Sequence, residues 1–325
     1  MTFILINILI ALSIRKNFLS SILFALFFGT TYQIGQFDWS SYENLYQLIK
    51  NRSFTEALAI NTIGHYEPIF SIFIIILSIV ISEYWIAKTI IYFLGFFYFS
   101  RSLSISQIHS KELFTFIFLS LTSYTIFYTA DRQAIAFLLV IGAYLQHKKS
   151  LISIGFHYSS VIIYLMSLRF KTYVTFLPIL LLAMYYMFSK YLYLLNIGQP
   201  SLTSIMITSS ILLLTLTTRQ KKNLIFLFTL FTLAFALMFF PAVFYRVKVY
   251  VISMLLIYVF QNWRRNLANP LIVTATLTLS LLINVVYVAS DALAFGQYQT
   301  HLLKPYVTYR DKTNLWYSRF ELENG

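Results

Sequence analysis

The stretch FYTADRQAIAFLL, residues 127–139, places the polar triplet Asp131, Arg132 and Gln133 between two long apolar runs. Apolar runs of roughly 15 to 20 residues recur along the chain, separated by short polar or basic segments. A helix needs about 20 such residues to cross the hydrocarbon core of a bilayer. The pattern therefore predicts consecutive membrane helices, one of which begins near the polar triplet.

The composition indicates the same class. Of the 325 residues, 59% are hydrophobic and 11% are charged, and the mean hydropathy is +0.73. A soluble domain of this size cannot bury so much apolar surface. We predict an all-α polytopic integral membrane protein with about 10 to 12 membrane segments, folded as a single domain over residues 1–325. The expected segments are 2–14, 18–34, 67–82, 84–100, 112–130, 132–146, 172–188, 202–218, 223–240, 247–263 and 270–290.

The positive residues, which give a net charge of +13, fall in short clusters between the apolar runs. Cytoplasmic loops of membrane proteins are enriched in Lys and Arg, so these clusters predict the cytoplasmic side. Three features are then expected on the outer side: the polar loop 35–66, Arg132 and the polar C-terminal tail 291–325. The clusters are Arg15-Lys16, Lys148-Lys149, Arg169 with Lys171, Arg219 with Lys221-Lys222, and Arg264-Arg265.

Two regions leave the topology open. As a helix, residues 149–157 would cover only about 12 Å, against roughly 30 Å of hydrocarbon. Segment 150–168 is therefore either re-entrant or a simple span that leaves Arg169 outside. In the same way, two complete spans within 67–111 would place Arg132 inside rather than outside.

Several classes of site are excluded by residues or motifs that the chain lacks. It contains no cysteine, which rules out disulfides and thiolate chemistry. It also lacks HExxH and DxD motifs, a P-loop and a GxGxxG segment. We therefore expect neither a metal nor a cofactor, and the scattered basic clusters do not predict nucleic-acid binding.

Arg132 is the first candidate for chemistry. Its guanidinium stays charged at every relevant pH, and its planar fork matches two oxygens of a phosphate or carboxylate. Gln133 could add a neutral donor. Alternatively, Arg132 is an anchor at the membrane surface or the ion-pair partner of Asp131.

Two later segments carry further candidates. His157, followed by Tyr158, lies between apolar runs, and imidazole is suited to proton transfer near neutral pH; a hydrogen-bonded core histidine is the alternative. Arg246 and Lys248 begin another apolar run after Pro241. They would either bind an anion or lie at the membrane surface.

The predicted outer loop combines carboxylates with aromatic residues. Asp38, Tyr42 and Glu43 lie close to Trp39 and Tyr46, and such a combination suits a sugar, whose apolar faces stack on aromatic rings. An interfacial aromatic belt has the same composition. Glu67, which precedes Pro68, either joins this site or stabilises a helix N-terminus.

These segments, in this order, resemble the EpsG/Wzy-type polymerases of bacterial O-antigen, capsule and exopolysaccharide synthesis. The resemblance covers roughly residues 30 to 255, and the pair RQxxA and FHxS contributes most to it. The motif residues are Asp38 and Tyr42, Arg132-Gln133-Ala136, Phe156-His157-Ser159, and Arg246 with Tyr250.

The resemblance implies a GT-C-like polymerase in the bacterial inner membrane, with its active site facing the periplasm or outside. Its substrates would be undecaprenyl-diphosphate-linked oligosaccharides, as both donor and acceptor, and its partners would include membrane lipid and a polysaccharide chain-length regulator. The growing glycan would move from its lipid diphosphate to the incoming repeat unit. No nucleotide or metal is needed, because the diphosphate is the leaving group.

The resemblance also suggests roles. Arg132 and Arg246 would stabilise the diphosphate as charge develops on the leaving oxygen. His157 would deprotonate or orient the acceptor hydroxyl, with Asp38 or Glu67 as competing bases. Substrate contacts are expected from Gln133, Lys248, Tyr250, Tyr42 and Tyr158.

Two other functions fit the same features. A flippase for lipid-linked oligosaccharides would also use intramembrane cations and a polar outer loop. An O-antigen ligase would share the donor chemistry but transfer finished glycan to another acceptor.

Overall fold

The computed structural model describes residues 2–33, 37–50, 52–64, 68–127, 131–148, 152–153, 160, 202–217, 221–239, 241–262 and 298–300. This part of the chain is predominantly helical, which confirms the all-α prediction. None of the helices found there has both the length and the apolar character required to cross a bilayer. The number of membrane segments and the GT-C-like architecture stay predictions.

The described elements follow one another as helices with a single short strand pair. We number them in chain order. They are α1 (Thr2–Leu12), α2 (Asn17–Phe24) with a π-helical extension (Ala25–Gly29), β1 (Thr31–Gln33), α3 (Phe37–Ile49), α4 (Phe54–Gly64), α5 (Pro68–Val80), α6 (Tyr84–Ile105), α7 (Lys111–Ile126), α8 (Asp131–Leu145), α9 (Leu202–Thr217), α10 (Lys221–Leu237), α11 (Pro241–Asn262) and β2 (Tyr298–Thr300).

The apolar runs in the described residues coincide with helices, although their bounds differ by several residues. For example, α6 continues to Ile105 rather than ending near residue 100, and α11 begins at Pro241 rather than near 247. Some of the predicted regions lie outside the described residues. They are the expected segments 172–188 and 270–290, and nearly all of 150–168.

The predicted polar loop 35–66 is not irregular, because α3 and α4 occupy most of this region; its placement on the outer side stays a prediction. Ser53 and Glu56 form a reciprocal N-terminal cap of α4: the Ser53 N–H donates to Glu56 Oε2 at 3.1 Å, and the Glu56 N–H donates to Ser53 Oγ at 3.4 Å. In α3 the apolar side chains recur with helical periodicity and form a buried face. They are Tyr42, Leu45, Tyr46 and Ile49.

The predicted C-terminal tail contributes one strand. Residues 298–300 pair antiparallel with residues 31–33, with Thr31 opposite Thr300 and Gln33 opposite Tyr298. The rest of the tail lies outside the part of the chain that the structure describes.

Aromatic rings fill the centre of the helical bundle. Phe24 of α2 stacks on Phe96 of α6 at 4.1 Å between centroids and meets Phe127 edge-on at 4.9 Å. Phe118 of α7 stacks on Phe137 of α8 at 5.4 Å. Offset and edge-to-face geometries of this kind add to the stabilisation that comes from burial, so the rings hold α2, α6, α7 and α8 together.

The helix directions define two ends of the bundle. At one end, Tyr84 and Tyr92 near the start of α6 bond to the start of α8 and to the chain before it. At the other end, the amide of Asn17 contacts Ser104 Oγ at 2.7 Å. We call these the tyrosine end and the basic end; the latter includes Arg15 and Lys111.

Helix α11 runs in the same direction as α6 and α8. Its C-terminal Phe260 packs on Phe114 at 5.4 Å, and its carbonyl accepts from the His109 N–H at 3.4 Å. Both partners lie at the start of α7, at the basic end. The beginnings of α6, α8 and α11 therefore lie towards the tyrosine end.

Candidate functional site

Helix α6 presents a stripe of three polar side chains to the bundle interior. Tyr84, Lys88 and Tyr92 follow one another at four-residue intervals, which places them on one face of the helix. All three are buried, and Lys88 is only 2% exposed. A buried lysine is costly unless an opposite charge and hydrogen bonds compensate its desolvation.

The compensating charge is Asp131, the first residue of α8. Its Oδ1 lies 3.1 Å from Lys88 Nζ and accepts a hydrogen bond from Tyr92 Oη at 2.8 Å. Its Oδ2 accepts from Tyr84 Oη at 2.7 Å. The position at a helix N-terminus also favours the carboxylate. Asp131 thus pairs with Lys88 of another helix, which answers the sequence-based alternative that its ion partner is Arg132.

Sequence reasoning did not single out Lys88 and its two tyrosines. The signal was present: Lys88 is an isolated cation within the apolar run 84–100, with a tyrosine four residues before it and four after it. Ionisable residues inside apolar helices are rare and usually face a partner. The spacing alone indicates an inward polar stripe, although it does not identify Asp131 as the partner.

The next residue, Arg132, contacts helix α3. Its Nε donates to Tyr42 Oη at 2.6 Å, and its guanidinium carbon lies 5.2 Å from the centroid of the Tyr42 ring. The ring also packs against Phe70 at 5.7 Å and Tyr84 at 6.2 Å. The structure therefore brings together two of the predicted site residues, Arg132 and Tyr42, and links both to the buried network through Tyr84.

A neighbouring tyrosine fixes the position of α3. Tyr46 Oη donates to the Ile81 carbonyl at 2.9 Å, and its ring lies 5.6 Å from that of Tyr84. Burial, with a smaller effect from the carboxylate of Glu83, raises the pKa of Tyr46 to about 12. The hydroxyl consequently stays protonated and remains a donor at neutral pH.

Helix α11 brings another predicted residue next to α8. Tyr250 is buried and meets Phe137 edge-on at 5.3 Å. Because the two helices run in the same direction, the residues four positions earlier, Arg246 and Gln133, lie at about the same level. Residue 248 lies about 200° from residue 246 around the helix, and the side chain of Arg246 is not among the described ones.

The remaining predicted residues are only partly visible. Gln133 is buried and Lys248 is half-buried. Asp38 is the second residue of α3, but its side chain is not among the described ones. Glu67, His157 and Tyr158 lie outside the described residues, so their predicted roles are untested.

Arg132 and its position in the fold have features that favour an anion. Among the described residues, no group of three or more His, Asp or Glu side chains is placed to hold a metal ion. Arg132, at the start of α8, combines a guanidinium with a helix N-terminus, and both favour a bound anion. Asp131 is poorly suited to act as a base, because its carboxylate is engaged by Lys88 and two tyrosines.

A scan of protein-family models, a search of curated proteins and a search of solved structures each gave no match to this chain. The resemblance to the polymerase family consequently rests on the motif residues of the sequence alone.

Replacing Lys88 by Met should lower the free energy of unfolding by roughly 3–5 kcal/mol, because Asp131 is left buried without its counter-ion. The double variant Lys88→Met/Asp131→Asn removes both charges and should recover most of this loss. Denaturation of the detergent-purified protein, followed by circular dichroism, measures both values. Lys148→Met, at an exposed lysine, is the control; an equal loss there, or additive effects in the double variant, would contradict the buried pair.

Proposed function

We propose that this chain is a metal-independent membrane glycosyltransferase of the EpsG/Wzy type. It polymerises undecaprenyl-diphosphate-linked repeat units on the periplasmic or outer face of the bacterial inner membrane. The contact between Arg132 and Tyr42 is the observation that carries the proposal. These residues are 90 positions apart, and they belong to two of the four segments on which the resemblance rests.

The electrostatics around Arg132 support an anionic substrate. Asp131 pairs with Lys88 of α6, and Arg132 places a guanidinium at the start of α8, where the helix N-terminus also favours an anion. A guanidinium carries five N–H donors. A hydrogen bond to Tyr42 is therefore compatible with a bidentate contact between the guanidinium and two diphosphate oxygens. The hydroxyl of Tyr42 fixes the orientation of the guanidinium plane.

The register between α8 and α11 supports a second cation at the same site. Arg246 begins the Arg-x-x-x-Tyr segment, whose Tyr250 packs on Phe137. Two arginines at one level would contact a diphosphate from two helices. Their charge stabilises the leaving oxygen most strongly in the transition state, which is how preorganised charge accelerates a reaction.

The proposed reaction transfers the growing glycan to the incoming repeat unit. An acceptor hydroxyl attacks the anomeric carbon of the donor, and the bond between that carbon and the diphosphate oxygen breaks. The diphosphate leaves with the electron pair, and the hydroxyl proton passes to a base. Because Asp131 is tied into its network, His157 is the proposed base, with Asp38 or Glu67 as the alternatives.

Replacing Arg132 by Ala should reduce polymer formation at least about 100-fold, the usual effect of removing a group that stabilises developing charge. The assay is in vitro polymerisation of a purified lipid-linked repeat unit, with products resolved by length. Arg132→Lys should retain partial activity, because a lysine keeps the charge but not the planar fork. Arg101→Ala, at an exposed arginine of α6, is the control; normal polymer from Arg132→Ala would refute the role.

Replacing Tyr42 by Phe removes the hydroxyl and keeps the ring. We expect a fall of about 10- to 100-fold in polymerisation rate, because a hydrogen bond to a charged group contributes about 1.5–3 kcal/mol. The double variant Tyr42→Phe/Arg132→Ala should be no slower than Arg132→Ala, since the hydroxyl acts through the guanidinium. Tyr98→Phe is the control. A Tyr42→Phe protein with the wild-type rate would contradict this positioning role.

A deletion strain separates the three candidate functions. Loss of a polymerase leaves glycans that carry a single repeat unit. Loss of a flippase leaves no glycan displayed, and loss of a ligase leaves polymer attached to its lipid carrier. The proposal requires the first phenotype.

A further inference from the structure

A cleft of about 420 Å³ opens at the basic end of the bundle, between the α1–α2 turn and the α6–α7 connection. Its lining combines buried apolar residues with basic side chains and two serines. The buried apolar residues are Ile14, Leu103 and Ile108, and the basic side chains are Arg15, His109 and Lys111. Along α6 this cleft lies roughly 24 Å from the buried Lys88, so it is separate from the proposed active site.

The two strong cations of the cleft are held close to each other. Arg15 Nε donates to Glu112 Oε1, and Lys111 Nζ donates to the Ser104 carbonyl. Burial, and then repulsion by Arg15, lower the pKa of Lys111. Two cations thus share a single carboxylate, and a bound anion would relieve their repulsion.

Exposed apolar side chains occur close in sequence to the cleft on three helices. Leu12 of α1 and Ile105 of α6 are each 67% exposed, and Leu113 of α7 is 47% exposed. Each lies within two residues of a residue that lines the cleft. An inorganic anion would use only the basic side chains, whereas an amphiphile would also cover exposed apolar side chains nearby.

We propose that this cleft binds the phosphate group of an anionic phospholipid, with the acyl chains lying against Leu12, Ile105 and Leu113. The planar guanidinium of Arg15 would donate to two phosphate oxygens, and Lys111 would contribute a point charge. Basic pockets between helices on the cytoplasmic side of membrane proteins recognise lipid headgroups in this way. The proposal requires contact with a membrane but does not depend on polymerase activity.

The test is a titration of the full-length protein, purified in neutral detergent, with short-chain phosphatidylglycerol, followed by native mass spectrometry. Arg15→Gln and Lys111→Gln should each weaken binding about fivefold, and the double variant about 25-fold, because a basic residue near an anionic lipid contributes about 1 kcal/mol. Lys111→Arg should bind like the wild type. Lys148→Gln, at an exposed lysine, is the control and should also leave binding unchanged.

Three results would overturn the proposal: an equal loss of binding in Lys148→Gln, equally tight binding of phosphatidylcholine, or displacement of the lipid by inorganic phosphate at equal concentration. If Lys111→Gln does not fold, the binding measured for Arg15→Gln is decisive. That variant should fold, because the Arg15 side chain is 79% exposed. An Arg132→Ala protein should bind the lipid normally. Failure of this site and failure of the proposed polymerase function are therefore distinguishable.

Discussion

The buried ion pair between Lys88 and Asp131 is the constraint on which the tyrosine end depends. Neither charge is tolerable in the interior alone, and the hydroxyls of Tyr84 and Tyr92 complete the hydrogen bonding that makes the pair stable. The pair fastens the first residue of α8 to α6. Because Arg132 is the next residue, its position relative to Tyr42 follows from the same attachment. A network without direct contact to substrate would in this way preorganise the group that binds it.

Much of the helical framework could be predicted from the sequence, because apolar runs of sufficient length have few alternatives to a helix. The two helices within residues 35–66 were not predicted, although two local signals in this polar region indicate them. One is the buried periodicity of α3, and the other is the capping pair Ser53 and Glu56. Polar composition indicates contact with water, but it does not by itself indicate a loop.

The candidate site could be predicted only in part. The importance of Arg132 follows from its charge within an apolar context, and its association with Tyr42 was expected only from the family resemblance. The hydrogen-bond partners of Asp131 could not be predicted from the sequence. Tyr84, for example, is 47 residues away, and many tertiary arrangements satisfy the same local pattern. Arg15 and Arg132 lie at opposite ends of the bundle, and the outward placement of Arg132 stays a prediction.

The proposed function depends on this outward placement, because a lipid-diphosphate site for polymerisation must face away from the cytoplasm. The chain contains no cysteine, so single cysteines report accessibility without background. Arg52→Cys, at the exposed start of α4 near the tyrosine end, and Lys16→Cys, at the basic end, should be treated in spheroplasts with a membrane-impermeant maleimide. An outward-facing tyrosine end predicts labelling of Arg52→Cys in intact spheroplasts and of Lys16→Cys only after permeabilisation. The reverse pattern would contradict it.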